Sequence, residues 1–551
     1  MQEAKTQFTR RAVMRSSVIV GAAAVVPTSQ NTAQLVGAAR ANDATHSQPE
    51  AYAAHEHRTF MHGVASGDPL PATVMLWTRI TPTPEAVPGS GLGEPVEVSW
   101  EIALDQEFTS TIRAGHTVTT AEHDHTVNVD PFGLEPDTTY FYRFHALGET
   151  SRLGKTRTAP AADATPEKLT LAVCSCANYE AGYFQAYSDI AQRGWDDELD
   201  IVVHMGDYIY EYASGEYAGK FGVVRPHSPR HEIRTLSDYR TRYGAYRRDT
   251  ALQDAHAALP WVVTWDDHEI ADDSWEGGSK NHATADGDWG SRRDAAMQAY
   301  LEWLPIRGTA PSRGGHIYRS LSFGTLADIH MLDLRSYRSE PGFFNPARAG
   351  NKKRTIMGSE QFQWLQGRLE TSRATWDLIG TSVMMAPLDL KPLENSVAKP
   401  LAEMVGLDLA GTPVNLDQWD GYVADRERLL ANLDGKTMFL TGDIHSEWAN
   451  QIEHEGRVVA AEMVCSSVSA PNIDDILQTP PDSALSRTAE GVVRAHNPHI
   501  KHVDLDAHGY AIAEITSEQC QMTWLRVDDV TVAGSPVQMG PKMSFDGSVL
   551  A

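Results

Sequence analysis

The sequence predicts a layered α/β or α+β domain that follows a small all-β region and a basic leader. From about residue 161 to residue 530, short apolar runs alternate with amphipathic helical patterns, as in proteins that stack helices on sheets. From residue 42 to residue 160, short alternating runs are separated by Gly, Pro and Asp turns, which is typical of a small β-sandwich. The chain has 551 residues, 41% of them hydrophobic, so it can bury a large core in two domains.

Residues 1–41 are predicted to be a twin-arginine signal peptide. The basic start contains the pair Arg10-Arg11, the apolar stretch 16–26 is too short to span a bilayer comfortably, and 39–41 form an A-x-A cleavage site. In bacteria such signals direct folded proteins to the twin-arginine translocase. We therefore expect an exported protein of the periplasm, cell wall or medium, with no membrane span after processing. The alternative is a Sec signal or an anchor that happens to hold two arginines.

The charge of the chain excludes some classes of partner. The net charge is −26, and removal of residues 1–41 takes away five Lys or Arg and one Glu, which leaves −30. Such an acidic surface repels nucleic acids and anionic membranes at long range. A phosphate-bearing substrate therefore needs local positive charge, which a bound metal supplies. The four cysteines are too few for a disulfide scaffold.

The first domain contains few candidates for catalytic or ligand-binding residues. Within residues 42–160, the alternating runs 96–103 and 139–145 predict strands. Residues 60–80 can be either a binding surface or packed strands with a turn, and packing is favoured because such features are usually core. Residues 159–166, APAADATP, predict a linker to the second domain.

The second domain is predicted to cover residues 161–530, followed by a C-terminal tail at 531–551. Apolar runs rich in Val and Ile predict its strands, and apolar spacing at helical periods predicts its helices. The predicted strands are 169–174, 199–205, 261–265 and 438–441, and the predicted helices are 183–193 and 236–259.

Polar side chains follow four of these strands directly. Asp207 and Tyr210 come after the break at Gly206, and they form a pair of hard oxygen donors suited to a metal. Each group alone also fits an ordinary surface turn or a helix N-terminus. Because ligands bind beyond the carboxyl ends of neighbouring strands, we expect all four groups to converge on one edge of a sheet. Together they predict a dinuclear metal site for in-line attack on phosphorus. The groups are Cys176, Asp207 with Tyr210, Asp266-Asp267-His268-Glu269, and Asp443 with His445.

Seven segments resemble, in order and spacing, the PhoD-type alkaline phosphatase and phosphodiesterase family of the metallophosphoesterase fold. They are SCANYEAGYF, GDYIYEY, LSDYRTRYGAYR, WVVTWDDHE, MLDLRSYR, MGSEQFQWL and LTGDIHSEWA. The resemblance runs from about residue 60 to residue 527. It implies an α+β fold in which a four-layer αββα metallophosphoesterase domain follows a small N-terminal β-sandwich, and it implies twin-arginine export and a site of iron and calcium.

The resemblance also implies a ligand set. One Fe³⁺ is expected on four residues, with one or two Ca²⁺ beside it. A thiolate and a phenolate stabilise ferric iron, whereas additional carboxylates favour a hard ion such as calcium. The alternative for Cys176 is a packed free cysteine. The implied iron ligands are Cys176, Asp207, Tyr210 and His445, and the implied calcium ligands are Asp207 as the bridge, Asp267 and Asp443.

Some assignments stay open at this point. Cys174 competes with Cys176, and Asp266 with Asp267, because register within the strands decides between them. The family continues with Asn after Asp-Asp-His-Glu, where this chain has Ala271-Asp272-Asp273, so a further calcium contact there is in doubt. Arg335, which follows another strand with Asp333 and Tyr337, is expected to orient an acid or bind phosphate. A structural salt bridge is the alternative.

The predicted function is that of an exported alkaline phosphatase that releases inorganic phosphate by metal-assisted, in-line attack of an oxygen nucleophile. Asp207 bridges the ions, and His268 donates a proton to the leaving oxygen or a hydrogen bond to a phosphate oxygen. One alternative is a phosphodiesterase or phospholipase D-like enzyme using the same site. Another is an inactive protein that binds cell-wall polymer. Two polar stretches, 274–291 and 387–417, are candidate lids over the substrate.

Overall fold

The computed structural model describes residues 58–342, 349–389 and 415–551. The predicted signal peptide and most of the predicted lid at 387–417 therefore lie outside the described residues. Among the helices within them, none is long and apolar enough to cross a bilayer.

The strands are short and, in the second domain, mostly buried. In the described residues they are β1 (Val64–Leu70), β2 (Thr73–Arg79), β3 (Val96–Ala103), β4 (Thr111–Thr119), β5 (Thr126–Val129), β6 (Thr139–Ala146), β7 (Glu149–Thr150), β8 (Gly154–Arg157), β9 (Lys168–Cys174), β10 (Ile201–His204), β11 (Pro260–Val263), β12 (Arg319–Phe323), β13 (Ala327–Met331), β14 (Trp376–Thr381), β15 (Thr437–Thr441), β16 (Glu447–His454), β17 (Arg457–Val464), β18 (Ile500–Asp504), β19 (Gly509–Thr516), β20 (Cys520–Val527) and β21 (Val537–Phe545).

The helices lie between the strands of the second domain. In the described residues they are α1 (Gln185–Trp195), α2 (Leu236–Tyr246), α3 (Thr250–Ala258), α4 (Trp289–Trp303), α5 (Ser359–Thr371), α6 (Val423–Leu430), α7 (Ile473–Leu477) and α8 (Ala484–His496).

Two large sheets pack face to face and form the body of the protein. Across the described residues, the first sheet has the order β21-β20-β19-β9-β10-β11-β1-β2-β5, and the second has the order β12-β13-β14-β15-β17-β16-β18. A core without helical residues lies between the sheets. Helices α1 to α4 cover the outer face of the first sheet, and α5 to α8 cover the outer face of the second. This αββα layering confirms the predicted fold class.

The N-terminal region packs as the predicted β-sandwich, but one of its two sheets continues into the second domain. A separate sheet joins β4, β3, β6 and β7, with β8 paired to β6. Strands β1, β2 and β5, however, extend the first large sheet through the parallel pairing of β1 with β11. The small sheet packs on this extension through a shared apolar core. The predicted boundary at residue 160 therefore divides the chain but does not divide the first sheet. Strands from both sides of the boundary pair in that sheet, since β1 pairs with β11.

Two further predictions differ from the structure. Part of the predicted tail at 531–551 is β21, which pairs with β20 at the edge of the first sheet. The predicted helix at 236–259 is two helices, because the backbone at Asp249 is extended and its side chain caps α3 by accepting from the Leu252 amide.

Candidate metal centre

The predicted metal ligands and His268 lie in the turns that follow β9, β10, β11 and β15, and Arg335 lies after β13. The first three strands are parallel neighbours in the first sheet, whereas β15 belongs to the second sheet. The expectation of a single sheet edge was therefore wrong: the groups meet where the carboxyl ends of strands from both sheets lie side by side. The fold itself brings together residues that are far apart in the sequence.

Four of these residues adopt the left-handed backbone conformation that non-glycine residues rarely take. Their φ angles are 59° at Cys176, 55° at Asp207, 66° at Asp443 and 52° at His445. Each such residue costs on the order of 1–3 kcal/mol, and strain of this kind concentrates at functional sites. The turns aim these side chains inward at the expense of local stability.

Gly206 permits the turn before Asp207. Its φ is 103°, and a Cβ atom there would lie 2.6 Å from the backbone nitrogen of Asp266. A side chain at this position would push apart the turns after β10 and β11. The glycine thus allows the bridging candidate Asp207 to approach the Asp266-Asp267 pair.

The first half of the centre, here called the thiolate half, consists of Cys176, Tyr210 and His445 beside Asp207. Donor atoms of Cys176, Asp207 and His445 all lie within 4.8 Å of one another. The Tyr210 hydroxyl lies 3.1 Å from Asp207 Oδ2 and 3.2 Å from His445 Nε2. One sulfur, one phenol, one imidazole and one carboxylate therefore face a single point.

His445 is held as a neutral imidazole. Its Nδ1 donates to the carbonyl of Pro471 at 2.8 Å, which leaves the Nε2 lone pair directed toward Tyr210 and Asp207. Burial lowers the pKa of His445 to about 4. An imidazole that is neutral above this pH is available to a metal without first losing a proton.

The two cysteines at the carboxyl end of β9 have different surroundings. Cys174 is buried in the core between the first sheet and its helices, whereas Cys176 clusters with Tyr210 and Tyr212 at the site. The structure thus brings Cys176, and not Cys174, to the other donors. All four cysteines are free, so Cys465 and Cys520 are not bridged.

The second half, here called the carboxylate half, consists of Asp266, Asp267 and Asp443 beside Asp207. Carboxylate oxygens of Asp266, Asp267 and Asp443 lie within 4.8 Å of one another. Gln418 donates to Asp443 Oδ2 at 2.9 Å. The site therefore gathers hard oxygen donors on the side opposite the thiol.

Arg335 lies beneath the carboxylate half and is fully buried. It binds both oxygens of Asp266, at 2.5 and 2.9 Å, and Nη1 binds Asp417 at 2.8 Å. Its Nη2 also approaches Asp267 Oδ1 at 3.4 Å. Because its donors point to acids, the geometry favours orientation of the carboxylates over direct contact with phosphate. Asp266 is occupied by this pairing, which leaves Asp267 as the freer donor.

His268 lies between the two halves. Its ring packs on Tyr210 with 4.4 Å between centroids, and it lies within 4.8 Å of the donor atoms of Asp207 and Asp267. Glu211, which is fully buried, pairs with His268 Nδ1 at 2.8 Å. Burial opposes protonation, but Asp267, Glu211 and Asp207 hold the pKa of His268 well above its usual value. The ring can therefore carry a proton at the site.

The acidic segment after His268 also reaches the centre. Oxygens of Asp272 and Asp273 lie within 4.8 Å of Asp267, and the Asp273 amide donates to Asp267 Oδ2 at 2.5 Å. Lys280 pairs with Asp272 at 3.4 Å and with Asp273 at 2.9 Å. These two acids are therefore partly neutralised by a lysine from the stretch predicted as a lid.

Two carboxylate oxygens give a direct test of whether metal ions fit. In the described part of the chain, Asp207 Oδ1 and Asp267 Oδ1 are buried without a hydrogen-bond donor, although Arg335 Nη2 forms an ion pair with Asp267 Oδ1 at 3.4 Å. Burial raises the pKa of Asp207 well above its usual range, and the nearby carboxylates of Asp267, Asp266 and Glu269 add to that effect. Buried acceptors crowded by like charge are stable when a cation lies between them. The site therefore fits bound metal ions.

Three further residues lie at the site, and the sequence predicted no role for them: Glu211, Glu269 and Tyr217. Glu211 has no spacing that marks it as the partner of His268. Glu269 accepts from the amides of Asp207, Tyr208 and Asp266 at 2.6–3.1 Å and so joins two turns. Tyr217 stacks on Tyr210 and covers the thiolate half. Of these residues, only Glu269 was marked in the sequence, because it directly follows the Asp-Asp-His motif. That position did not predict that it accepts hydrogen bonds from two turns.

Comparisons with known proteins show the family to which the chain belongs. The family model of the PhoD-like phosphatases matches residues 171–524, and that of their N-terminal domain matches residues 45–160. Alkaline phosphatase D of Bacillus subtilis (strain 168) is 36% identical over 502 residues, which cover 87% of this chain and 79% of the relative.

Solved structures show the same fold. The structure of PhoD superposes with a TM-score of 0.80 at 34% identity, covering 91% of this chain and 93% of the other. The purple acid phosphatase PPD1 from yellow lupin (Lupinus luteus) seeds has a TM-score of 0.50 at 11% identity, covering 88% and 73% of the two chains, and supports the fold alone. The chain belongs to the PhoD-like phosphatase family and is a hydrolase that acts on phosphoric ester bonds.

Proposed function

We propose that the protein is an exported alkaline phosphatase that releases inorganic phosphate from phosphate esters with one Fe³⁺ and one or two Ca²⁺. The observation that carries this proposal is the pair of donor sets that share Asp207. The thiolate half offers Cys176, Tyr210 and His445, and the carboxylate half offers Asp267 and Asp443. Thiolate with phenolate suits ferric iron, and carboxylates suit calcium.

The two ions, once bound, supply positive charge that lowers the pKa of a water nucleophile and stabilises charge developing on the phosphoryl oxygens. The protein's own residues have separate tasks. Asp207 holds the two halves at a fixed distance. Arg335 orients Asp266 and limits the movement of Asp267. His268 donates its Nε2 proton to the leaving oxygen, while Glu211 fixes the ring from the Nδ1 side.

The most direct test of activity is hydrolysis at alkaline pH of a chromogenic phosphomonoester, a chromogenic bis-ester and phosphatidylcholine. We expect the highest kcat/KM on the monoester. A preference for the bis-ester or the lipid would replace the phosphatase proposal with a phosphodiesterase or phospholipase D-like one. A fully metallated protein inert on all three would instead favour the polymer-binding alternative. The Asp207→Asn variant, purified in parallel, controls for contaminating phosphatases.

We also propose export through the twin-arginine translocase. The pair Arg10-Arg11 supports this route, as does the chemistry of the centre, because a route for folded proteins allows Cys176 to receive its metal before export. Replacement of both arginines by lysine is expected to retain active enzyme in the cytoplasm. If the double variant reaches the medium or periplasm as efficiently as the wild type, a Sec signal is the better explanation.

A further inference from the structure

A second group of metal-type donors lies on the outer face of the second sheet, where β12, β13 and β14 are neighbours. His330 of β13 is directly opposite Ser320 of β12 in the antiparallel register, and Asp328 of β13 is opposite Asp377 of β14. Side chains alternate along a strand, so Ser320, His330, Asp328 and Asp377 share one face. This face is the outer one, since the intervening Leu321, Ile329 and Leu378 belong to the core between the sheets.

The donors converge closely. The Ser320 hydroxyl lies 2.7 Å from His330 Nδ1, and Asp377 Oδ1 lies 2.9 Å from His330 Nε2. Donor atoms of Asp328, His330 and Asp377 all lie within 4.8 Å of one another. His330 is only 1% exposed, which is unusual for an imidazole on the outer face of an edge region. Two carboxylates and one buried ring nitrogen therefore face a common point.

The charges at this point are not balanced by basic side chains. Within the described residues, the ion pairs of Asp328 and Asp377 are limited to the contact between Asp377 and His330. Arg368 and Arg373 line the same pocket, but both are exposed, so solvent screens their charge. A second carboxylate beside the contact between His330 and Asp377 adds repulsion unless a cation lies between the acids.

The position that these donors face opens into a pocket of about 370 Å³, which is lined by Asp328 and His330. The pocket also includes Asp163 from the linker between the two segments of the chain and Ser372 after α5. Ser372 donates to Asp328 Oδ2 at 3.0 Å and so fixes the second carboxylate. The space beside the donors is large enough for an ion with its remaining water ligands.

We propose that Asp328, His330 and Asp377 bind a divalent cation of the zinc class at a second site, separate from the metal centre. His330 Nε2 and one oxygen from each aspartate supply three ligands, and water from the pocket completes the shell, since zinc accepts His nitrogen and Asp oxygen. Ser320 accepts from Nδ1–H and thereby presents the Nε2 lone pair to the ion, as hydrogen-bonded partners of metal-binding histidines do. The ion joins β13 to β14 through their side chains.

The test uses the holoenzyme with its metal centre loaded, so that only the additional site responds. Calorimetric titration with Zn²⁺ is expected to give one further equivalent per chain in the wild type. Asp328→Asn and Asp377→Asn are expected to lose this equivalent, and Ser320→Ala to weaken it by about 10- to 100-fold. Phosphatase activity is expected to stay unchanged in all three. Asp163→Asn, which removes an exposed acid from the same pocket, is the matched control and is expected to bind like the wild type.

Anomalous diffraction at the zinc edge from wild-type crystals grown with Zn²⁺ gives an independent measurement that needs no variant. A peak about 2.0–2.2 Å from His330 Nε2 and from one carboxylate oxygen of each aspartate supports the site. The proposal is overturned if no peak lies there, or if Asp377→Asn, with an unchanged melting temperature in the absence of zinc, binds as many zinc ions as the wild type.

Discussion

The thiolate half and the carboxylate half share Asp207, yet their surroundings differ in kind. Cys176, Tyr210 and His445 lie among aromatic rings, and the histidine is kept neutral by burial, while the carbonyl of Pro471 fixes which ring nitrogen carries the proton. The carboxylates of the other half lie among cations supplied by the protein itself. These cations are Arg335, Arg338 through Asp417, and Lys280 through Asp272 and Asp273.

This difference supports the proposal that the two halves bind unlike ions. A nearly uncharged pocket with sulfur and phenol donors binds a highly charged ion through those donors themselves. In the other half, buried Arg335 pairs with Asp266, Asp267 and Asp417, whereas burial and the neighbouring Asp266 raise the pKa of Asp443 well above its usual range. Although burial opposes ionisation, Arg335 and His268 hold the pKa of Asp267 below its usual range. That half is therefore preorganised for a hard ion that binds only oxygen.

The largest effect is expected where the halves join. Asp207→Asn removes the shared charge while preserving shape, so we expect both ions to be lost and kcat to fall by about 10⁴-fold or more, since dinuclear stabilisation supplies several kcal/mol. Elemental analysis and turnover of the purified variant measure this. Near-normal turnover of the variant would show that Asp207 does not bridge the two ions.

A pair of variants separates the halves. Cys176→Ser is expected to lose iron and retain calcium, whereas Asp443→Asn is expected to lose calcium and retain iron, with kcat lowered about 10³-fold in each. Elemental analysis of both proteins, prepared together, measures the selectivity. Cys174→Ser serves as the control, because that thiol packs in the core and is expected to change neither metal. Loss of both ions in both variants would mean that the halves are not independent.

His268→Ala tests the group between the halves. Because it is not needed as a ligand, we expect both ions to remain and kcat to fall by about 10²-fold, at the lower end of what general acids contribute. The loss is expected to be smaller for a phenol leaving group than for an alkyl one, since a good leaving group needs less protonation. Metal loss, or equal deficits for both esters, would refute this role.

Glu211→Gln is expected to have the smallest effect, a loss of about 10-fold on alkyl esters with metals retained. The amide keeps a hydrogen bond to His268 Nδ1 but removes the buried negative charge that favours the protonated ring. The pH–rate profile provides the readout. The limb that reports His268 is expected to move to lower pH, and an unchanged profile would assign Glu211 a purely structural role.

The sequence predicted where the strands end better than it predicted how the strands pair into sheets. The apolar runs before Cys176, Asp207, Asp267 and Asp443 are local patterns, and each matches an observed strand within a few residues. That β15 lies in the other sheet depends on long-range pairing, which no local pattern encodes. The left-handed turns were equally hidden, because glycine usually marks such positions and here Cys, Asp and His occupy them.

The central claim is that two unlike ions occupy the two halves, and metal analysis of the purified protein, combined with its visible spectrum, tests this most directly. We expect one iron and one or two calcium ions per chain, with a visible charge-transfer absorption from Cys176 and Tyr210 that disappears in Cys176→Ser. Zinc alone, with no iron, no calcium dependence and no visible absorption in an active enzyme, would contradict it.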